Sequence, residues 1–574
     1  MRILLLTHAF NSLTQRLGAE LQERGHEISI EFDIADSVAE EAVALFRPHL
    51  IVAPYLRRAI PESIWSRHVC LVVHPGIVGD RGPSALDWAI QAGEAEWGVT
   101  VLQAEAEMDA GPVWAGAVFP LRATKKSSIY RNEVTQAATA VVLLAVERFA
   151  AGDFAPTPLA ACSDVRGKLR PMMKQMDRAI DWQRDDTATV LRKINAADGF
   201  PGVADTLFGT ACHIFDAWPE AVLRGAPQSK PGDLLARRET ALLRRTSDGA
   251  VWIGHVRRAG DFKLPATLAF AESAELADAP LADWWRVDAG TWQDIAYEES
   301  GGIGFLHFEF YNGAMSTSQC ERLRAALAWV KQRPAKVLVL TGGADFWSNG
   351  IHLNVIEAAE SPADESWNNI NAMNDLAREL IDSDGQITVA ALAGNAGAGG
   401  CFLARAADLV WAREGVILNP HYKNMGNLYG SEYWTYLLPR RMGEEGVGDK
   451  SRAIMRNRQP LTARHAAETG FTDACLSGDS RAFRIDVARR AAEMAAAPDL
   501  EARLAAKRER RAQDEADKPL AAYREEELTH MRRNFYGFDP SYHVARHHFV
   551  RKSPASWTPR HLARHRDLGW KVPA

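Results

Sequence analysis

Five short apolar runs alternate with amphipathic stretches in residues 1–160, and this alternation limits the possible folds more than any other feature of the chain. The runs are RILLLT, EISIEF, HLIVAPYL, CLVVHP and GVTVLQ. Between the first three lie SLTQRLGAELQERG and SVAEEAVALFR, whose apolar residues recur at about the 3.6-residue period of an α-helix. Strands that alternate with helices predict a mostly parallel sheet with helices on both faces. This part of the chain is therefore expected to be an α/β domain.

The 574 residues exceed what one hydrophobic core holds, so we expect a multidomain α/β protein. Changes in composition and periodicity divide the chain into four parts. They predict an α/β domain at 1–164, a small, mainly β domain at 165–288, a third domain of strands and helices at 289–500, and a charged helical tail at 501–574.

Composition excludes several classes of protein. A net charge of -6 gives no basic footprint for nucleic acid, and no apolar run reaches the length of a membrane span. The six cysteines are scattered without a Cys-x-x-Cys pair, which argues against a disulfide framework and against a zinc site. We therefore expect a soluble, cytoplasmic protein that acts on small molecules and has no bound metal, no nucleic-acid partner and no membrane partner.

A histidine closes the fourth apolar run, at the edge of the sheet where α/β proteins bind their ligands. His74 ends CLVVH, and a Pro-Gly turn and a loop lead from it into the helical pattern of SALDWAI. Further on, Asp109 stands in a turn within GVTVLQAEAEMDAGPVW. A histidine and a carboxylate in one cleft can pass a proton between a nucleophile and its leaving group. The alternative is a structural histidine that caps the strand end.

These residues resemble the folate-dependent formyltransferases. The resemblance rests on the His-Pro pair at His74, the Arg-Gly-Pro at Arg81 and the Asp-Ala-Gly-Pro turn at Asp109. IDW and KINAADGFPG in the second part resemble the small C-terminal domain of methionyl-tRNA-type formyltransferases. Over about residues 1–285, the resemblance implies a Rossmann-like formyltransferase fold, an OB-like second domain and 10-formyltetrahydrofolate as the formyl donor. It also implies that His74 and Asp109 assist attack on the formyl carbon.

One position departs from the pattern of this family. The family's asparagine lies two residues before the histidine, where this chain has Val72. An asparagine there helps to hold the oxyanion of the tetrahedral intermediate. Asn11 and Gln15, in the first strand–helix loop, are the nearest polar candidates to replace it. Alternatively, Asn11 caps the first helix and Gln15 lies at the surface.

Two small-residue turns in the third part predict a second site. KVLVLTGGADFWSNGIHL and ITVAALAGNAGAGGCFLARA each run from a strand through such a turn into a helix, and two backbone N–H groups aimed at one point form an oxyanion hole. The pair resembles the crotonase (enoyl-CoA hydratase/isomerase) superfamily over about residues 293–500. This implies a spiral of ββα turns and an acyl-CoA ligand. By the same resemblance, the oxyanion donors are the N–H groups of Ile351 and Gly399, and Asn312 contacts coenzyme A.

The catalytic glutamates of the hydratases are missing from this part. Phe402 stands where the first glutamate follows the glycine turn, and NPHYKNMGNLYGSEYW replaces the motif of the second. Hydration needs acid and base groups at those points, so ordinary hydration is not expected. Tyr422 and Glu432, in the replaced stretch, are candidates to move a proton beside the oxyanion hole. The alternative is that the tyrosine only packs and the glutamate is exposed.

A formyl-donor site and an acyl-CoA site on one chain predict a shared intermediate, formyl-CoA. A formyl thioester has no α-carbon, so enolate chemistry is impossible, and hydrolysis, transfer or loss of CO remains. The fusion resembles hydrogenase maturation proteins of the HypX/HoxX type. This resemblance implies a bifunctional enzyme that transfers formyl from 10-formyltetrahydrofolate to coenzyme A and then, as a lyase, decarbonylates formyl-CoA. Its CO would supply the CO ligand of NiFe hydrogenase.

Two arginines are candidates to bind the phosphates of coenzyme A. They are Arg131, in SSIYRNE, and Arg546, in the tail, although ordinary surface positions are the alternative for both. The implied partners are hydrogenase maturation proteins or the hydrogenase large subunit. Two other functions stay open. One is an enzyme that hydrolyses or transfers the formyl group of formyl-CoA, and the other is a non-catalytic scaffold that binds folate and coenzyme A.

Overall fold

The computed structural model describes residues 1–163, 165–222, 229–281, 287 and 290–567. Residues 568–574 of the predicted tail and parts of the predicted second domain lie outside this description. The described residues form three sheet-containing units followed by a helical C-terminal region. The predicted α/β multidomain class is confirmed.

The first unit is built on a six-stranded sheet with the order β2-β1-β3-β4-β5-β6. Its elements are β1 (Arg2–Thr7), α1 (Ser12–Glu23), β2 (Glu27–Phe32), α2 (Asp36–Phe46), β3 (Leu50–Tyr55), α3 (Glu62–Trp65), β4 (Cys70–His74), α4 (Ala85–Ala92), β5 (Glu96–Gln103), β6 (Val113–Pro120), α5 (Lys126–Ile129) and α6 (Thr135–Ala151). The first four strands are parallel, as predicted, but β5 pairs antiparallel with β4 and β6. The short β5–β6 connection allows only antiparallel pairing, because a parallel crossover needs a dozen or more residues.

Alternate residues of the first strand face opposite layers of helices. Ile3 and Leu5 pack in the core that contains α1, α4 and α6, whereas Leu4 and Leu6 pack with α2 and α3. The sheet is therefore buried on both faces. Its parallel strands end at one edge, and His74 stands at that edge, where the following loops can surround a ligand.

One helical segment of the first unit is unusually apolar. Residues 126–151 form it, with a π-helical turn at Tyr130–Val134, and by length and composition alone it could cross a membrane. One face of it, which includes Val142 and Ala145, is buried in the core beside the sheet, whereas Leu144 is exposed. Packing inside the domain therefore accounts for its composition.

The second unit is a small antiparallel sheet with one long and one short helix beside it. Its elements are α7 (Thr187–Ala197), β7 (Val203–Leu207), β8 (Thr210–Glu220), β9 (Leu234–Arg238), β10 (Ala241–Arg245), β11 (Ala250–Arg258), β12 (Leu264–Pro265) and α8 (Ala266–Ala269). The strand order is β7-β8-β11-β10-β9, and β12 pairs with β11. Short strands between Gly and Pro turns predict this mainly β character.

The third unit is a spiral in which the middle strands of the chain segment alternate between two sheets. Its elements are β13 (Ile295–Ser300), β14 (Ile303–Phe308), α9 (Thr317–Val330), β15 (Val337–Thr341), β16 (Phe346–Ser348), α10 (Leu353–Ala358), α11 (Pro362–Ile381), β17 (Ile387–Leu392), β18 (Asn395–Gly397), α12 (Gly399–Arg405), β19 (Leu409–Arg413), β20 (Ile417–Asn419), α13 (Trp434–Met442), α14 (Asp449–Asn457), β21 (Leu461–Thr462), α15 (Ala463–Glu468), β22 (Ala474–Leu476) and α16 (Ser480–Ala495). The larger sheet has the order β13-β14-β15-β17-β19-β22, and the smaller has the order β16-β18-β20-β21. The small-residue turns lie where the chain passes between the sheets.

The helices of the charged tail pack mainly onto the third unit, and the described residues after them reach the first unit, where His565 contacts Glu31. These helices are α17 (Leu500–Asp517), α18 (Leu520–Tyr536) and α19 (Ser541–Arg551). The charge of the tail predicts solvated helices, but Leu520, Met531 and Phe535 of α18 belong to the main core of the third unit. These residues share one face of the helix, which also carries Glu527 into the interior.

Candidate active sites

The first candidate site lies where β4 ends. His74 is the last residue of β4 and is buried. Its Nδ1 lies 3.5 Å from Oδ2 of Asp109, which stands in the turn between β5 and β6. The fold thus brings together the two side chains that the sequence predicts for proton transfer.

Backbone geometry aims the carboxylate of Asp109 at the histidine. The residue has a φ of 56°, in the left-handed region that aspartate enters more readily than most residues with a side chain. The backbone N–H of Gly82 donates to Oδ2 of Asp109 over 3.2 Å.

A second carboxylate, which sequence reasoning missed, contacts the other nitrogen of the histidine. Oδ1 of Asp80 lies 3.1 Å from Nε2 of His74. The other oxygen of Asp80 lies 3.4 Å from Nε of Arg170, in the segment that joins the first two units. The only hint in the sequence is an acidic residue in a glycine-rich stretch, GDRG, directly after the histidine. Within the described residues no group of His, Cys, Asp and Glu side chains has the geometry of a metal site.

The two polar candidates for the missing asparagine have other partners. Oδ1 of Asn11 accepts hydrogen bonds of 3.0 Å from the N–H and the hydroxyl of Thr14, so that it caps α1. Oε1 of Gln15 accepts a 3.0 Å hydrogen bond from Asn419 of the third unit. Val72 packs among apolar side chains of the first unit. The structure therefore favours the capping interpretation of Asn11 and places Gln15 at a contact between units.

The two small-residue turns of the third unit meet as predicted. Gly350, with a φ of 77°, lies so close to the second turn that a Cβ on it would be 3.3 Å from the backbone nitrogen of Gly399. Ile351 follows directly, and Gly399 is the first residue of α12, where backbone N–H groups have no partner within the helix. This arrangement brings the two predicted oxyanion donors to neighbouring positions.

A tyrosine–glutamate pair lies beside these turns. The hydroxyl of Tyr422 donates a 2.5 Å hydrogen bond to Oε2 of Glu432. The other oxygen, Oε1, lies against Gly399 so closely that a Cβ there would collide with it. Glu432 is 1% exposed, which contradicts the alternative of an exposed glutamate. The pair is therefore next to the predicted oxyanion hole.

Burial changes how both groups bind protons. It raises the pKa of Glu432 to about 7, against the opposing effect of hydrogen bonds from Tyr422 and from the backbone of Ser431. Burial and the neighbouring Glu432 raise the pKa of Tyr422 well above its ordinary value. A carboxyl group with a pKa near neutrality can take up and release a proton at physiological pH.

Phe402 packs against the tyrosine–glutamate pair. Its ring is fully buried and lies nearly parallel to that of Tyr422, with an interplanar angle of 9° and 5.7 Å between centroids. The position that carries an acid in hydratases therefore carries an apolar wall here. Such a wall keeps water away from the Tyr422–Glu432 pair.

The tail supplies a second buried carboxyl group that sequence reasoning missed. Glu527 of α18 accepts hydrogen bonds from the N–H groups of Tyr433 at 2.9 Å and Thr435 at 2.8 Å. These bonds hold a loop in which Glu432 and Tyr433 both have left-handed φ values, 58° and 59°. Burial raises the pKa of Glu527 to about 8. In the sequence Glu527 stands in a run of charged residues. The only sign that it lies on the buried face of the helix is its spacing of seven residues from Leu520 and four from Met531.

Two of the three candidate contacts for coenzyme A meet at the junction of the units. Arg131 donates a 2.9 Å hydrogen bond to Oδ1 of Asn312, and its guanidinium lies 4.7 Å from the ring centroid of Phe346. A cavity at this junction is lined by Lys125, Arg131, Asp216, His255, Tyr311 and Asn312. Arg546 lies on α19, where its Nε is 2.8 Å from Oε2 of the buried Glu357 on α10. Its ion pair fastens the tail to the third unit.

Family models match all three sheet-containing units. The formyl transferase model matches residues 31–146, its C-terminal domain model matches residues 172–273, and the enoyl-CoA hydratase/isomerase model matches residues 304–560. The last match includes the helices that pack on the third unit. Fold and sites together define a protein in which a formyltransferase module is joined to a crotonase-type module.

Relatives of full length narrow this class. The chain is 55% identical to hydrogenase maturation factor HoxX of Bradyrhizobium diazoefficiens over 569 residues, which cover 99% of this chain and 97% of that protein. It is similar to the crystal structure of HypX from Aquifex aeolicus in complex with tetrahydrofolic acid, with a TM-score of 0.95, 48% identity and 100% of both chains covered. The chain belongs to the HoxX/HypX family of hydrogenase maturation factors. Methionyl-tRNA formyltransferase of Roseiflexus castenholzii is 31% identical over 241 residues, or 41% of this chain and 73% of that protein.

Proposed function

We propose that this chain makes CO in two steps. It transfers the formyl group of 10-formyltetrahydrofolate to the thiol of coenzyme A, and it then decarbonylates formyl-CoA to CO and coenzyme A. The CO becomes a ligand of the iron in NiFe hydrogenase, and a hydrogenase maturation protein or the hydrogenase large subunit receives it in the cytoplasm. The family, and the tetrahydrofolate complex of the HypX relative, support the folate half of this proposal.

The first step belongs to the site at His74. The sulfur of coenzyme A attacks the formyl carbon, a C–S bond forms, and the bond from carbon to N10 of the folate breaks. One proton moves from sulfur to N10, so that no oxidant or reductant is needed. His74 and Asp109, whose side chains are 3.5 Å apart, carry this proton.

The second step belongs to the pocket of Tyr422 and Glu432. Glu432 takes the formyl proton, and the electron pair of the C–H bond becomes the lone pair on the carbon of CO. The C–S bond breaks towards sulfur, which takes a proton from Tyr422. The 2.5 Å hydrogen bond between the two side chains returns a proton from Glu432 to Tyr422. The N–H groups of Ile351 and Gly399 hold the thioester oxygen.

One observation supports the proposal: a buried tyrosine–glutamate pair lies beside the predicted oxyanion hole, where the hydratase glutamates are missing. Glu432 is 1% exposed, its pKa is raised to about 7, and Phe402 packs against the pair. A base that titrates at neutral pH can remove the formyl proton, and a pocket without water gives hydrolysis no nucleophile. The pair therefore supports decarbonylation over hydrolysis.

Coenzyme A links the two sites. Arg131 belongs to the formyltransferase module and Asn312 to the crotonase-type module, and the two side chains are hydrogen-bonded to each other. An arginine at this junction can bind the phosphates of coenzyme A while the thiol end reaches first one site and then the other. Arg546 holds the tail that covers the second site.

The test measures CO in the headspace over purified protein with a haem reporter. Wild type receives 10-formyltetrahydrofolate and coenzyme A together and each alone, beside Glu432→Ala and a control, Glu468→Ala, at an exposed carboxylate. We expect CO only with both substrates, no CO from Glu432→Ala and wild-type yield from the control. Formate without CO would indicate a formyl-CoA hydrolase. No turnover of the folate in any sample would indicate a non-catalytic scaffold.

A further inference from the structure

We infer that Asp80 is a positioning residue for formyl transfer: it holds His74 in the tautomer that carries the hydrogen on Nε2, so that Nδ1 faces the reacting atoms. The inference rests on the proposed function of the His74 site. It extends that function to a buried aspartate in the loop after β4.

The two carboxylates on the histidine differ in depth. The side chain of Asp80 is completely buried, 3.1 Å from Nε2, whereas that of Asp109 is 11% exposed, 3.5 Å from Nδ1. Asp80 therefore lies on the closed side of the ring and Asp109 on the side open to a substrate. An ionised carboxylate only accepts hydrogen bonds, so the closer contact fixes a hydrogen on Nε2.

The chain builds a close-fitting support around this contact. A Cβ on Gly76 would collide with Nε2 of His74, and a Cβ on Gly167 would collide with the backbone of Asp80. The N–H of Gly167 also donates to the carbonyl of Val78 over 3.1 Å, which ties the joining segment to the loop. Glycine at both positions allows the joining segment, the loop and the strand end to pack together.

The joining segment also supplies a counter-charge to Asp80. Nε of Arg170 lies 3.4 Å from Oδ2 of Asp80, and its guanidinium lies 5.4 Å from the ring centroid of Trp97. The indole N–H of Trp97 donates over 2.9 Å to the carbonyl of Pro75, the residue after His74. Arg170 therefore balances the charge of the carboxylate that contacts the histidine, and Trp97, on which it packs, holds the strand end.

The contact with Asp80 determines which nitrogen of the His74 ring can exchange a proton with the substrates. With Nε2 occupied, only Nδ1 can accept the proton that leaves the thiol of coenzyme A, and it can return that proton to N10 of the folate. The carboxylate of Asp80 stabilises the imidazolium that forms between these events. Without Asp80 the ring can hold its hydrogen on Nδ1, where it blocks the transfer.

Asp80→Asn tests this role, because asparagine keeps the shape of aspartate but can donate to Nε2 and so favour the other tautomer. The analogous change in a serine-protease triad lowers kcat by about 10⁴-fold. We expect kcat for tetrahydrofolate formation to fall by about 10²- to 10⁴-fold and the KM for 10-formyltetrahydrofolate to change by less than about twofold. Asp36→Asn, which alters an exposed carboxylate paired with Arg58, should leave both values unchanged.

Nitrogen NMR of the full-length protein, labelled in its histidine rings and assigned with His74→Gln, reads the tautomer directly. At a pH where the ring is neutral, wild type should carry the hydrogen on Nε2 and Asp80→Asn should carry it on Nδ1. Hydrogen on Nδ1 in wild type, or kcat in Asp80→Asn within about threefold of wild type, would overturn the inference. The wild-type spectrum decides even if the variant does not fold. Because the spectrum needs no turnover, a wild type that forms no tetrahydrofolate would refute the proposed function alone.

Discussion

The rate of CO release should rise with pH through neutrality, because its proposed base titrates there. The pKa of Glu432 is raised from 4.5 to about 7 by burial. Below that pH the carboxyl group holds its proton and cannot act as a base. The ionised fraction is about one tenth at pH 6, about one half at pH 7 and about nine tenths at pH 8. The rate should therefore rise about fivefold from pH 6 to 7 and about twofold from pH 7 to 8.

Single-turnover release of CO from preformed formyl-CoA isolates this second step and can be followed with the haem reporter across the same pH range. Glu432→Gln keeps an oxygen that accepts the hydrogen bond of Tyr422 but has no basic form. We expect its rate to be about 10²- to 10⁴-fold lower, without a step near neutrality. Glu468→Gln, at an exposed position, should follow wild type. A wild-type rate that is flat or falls from pH 6 to 8, or a Glu432→Gln rate within about threefold of wild type, would refute the assignment.

Four further predictions test other parts of the structure. The raised pKa of Glu432 means that the folded state binds this proton more tightly than the unfolded state, so its contribution to stability is complete below pH 4.5 and is lost as the pH rises through about 7. The Tm of wild type minus that of Glu432→Gln, measured by differential scanning fluorimetry, should therefore fall from pH 5 to pH 7; a difference that grows would contradict the pKa shift. In Glu527→Gln the side chain has only one oxygen and cannot accept all the hydrogen bonds that Glu527 accepts. CO release should therefore fall at least about tenfold while formyl-CoA formation persists, and Glu526→Gln, at an exposed neighbouring residue, is the control. Equal loss in both steps would contradict a role confined to the second site. Phe402→Ala should lower the free energy of unfolding by about 3–5 kcal/mol in a denaturant titration and should yield formate at the expense of CO. Phe402→Leu should lose less stability and form less formate. An unchanged CO yield in the alanine variant would mean that this side chain does not exclude water. Arg131→Ala should weaken coenzyme A binding by about tenfold in calorimetry, equivalent to about 1.4 kcal/mol, and leave the KM for 10-formyltetrahydrofolate unchanged. An unchanged affinity for coenzyme A would show that Arg131 does not bind it.

Features that depend on local sequence could be predicted. The strands of the first unit follow from apolar runs, and the meeting of Gly350 and Gly399 follows from two strand–turn–helix patterns of the same kind. His74 and Asp109 could be paired only through the resemblance to formyltransferases, because β5 is antiparallel to β4 and its carboxyl end lies beside the start of β4.

Features that depend on contacts between distant parts of the chain could not be predicted from the sequence. Asp80 gains its place from Arg170 and from glycines in a segment far along the chain, and no local pattern links them. Glu527 stands in a run of charges that is typical of a solvated helix, and only the docking of α18 makes it a buried group beside Glu432. The antiparallel pairing of β5 with β4 could not be predicted either, because the connection between them, residues 75–95, is long enough for either orientation.

Interception of formyl-CoA tests the central claim most directly. Glu432→Gln would be mixed with coenzyme A and 10-formyltetrahydrofolate that carries an isotope label in its formyl group, quenched at intervals and analysed by mass spectrometry. The account predicts that labelled formyl-CoA and tetrahydrofolate accumulate in equal amounts while no labelled CO appears. Labelled formate without formyl-CoA, or labelled CO formed when coenzyme A is left out, would contradict it.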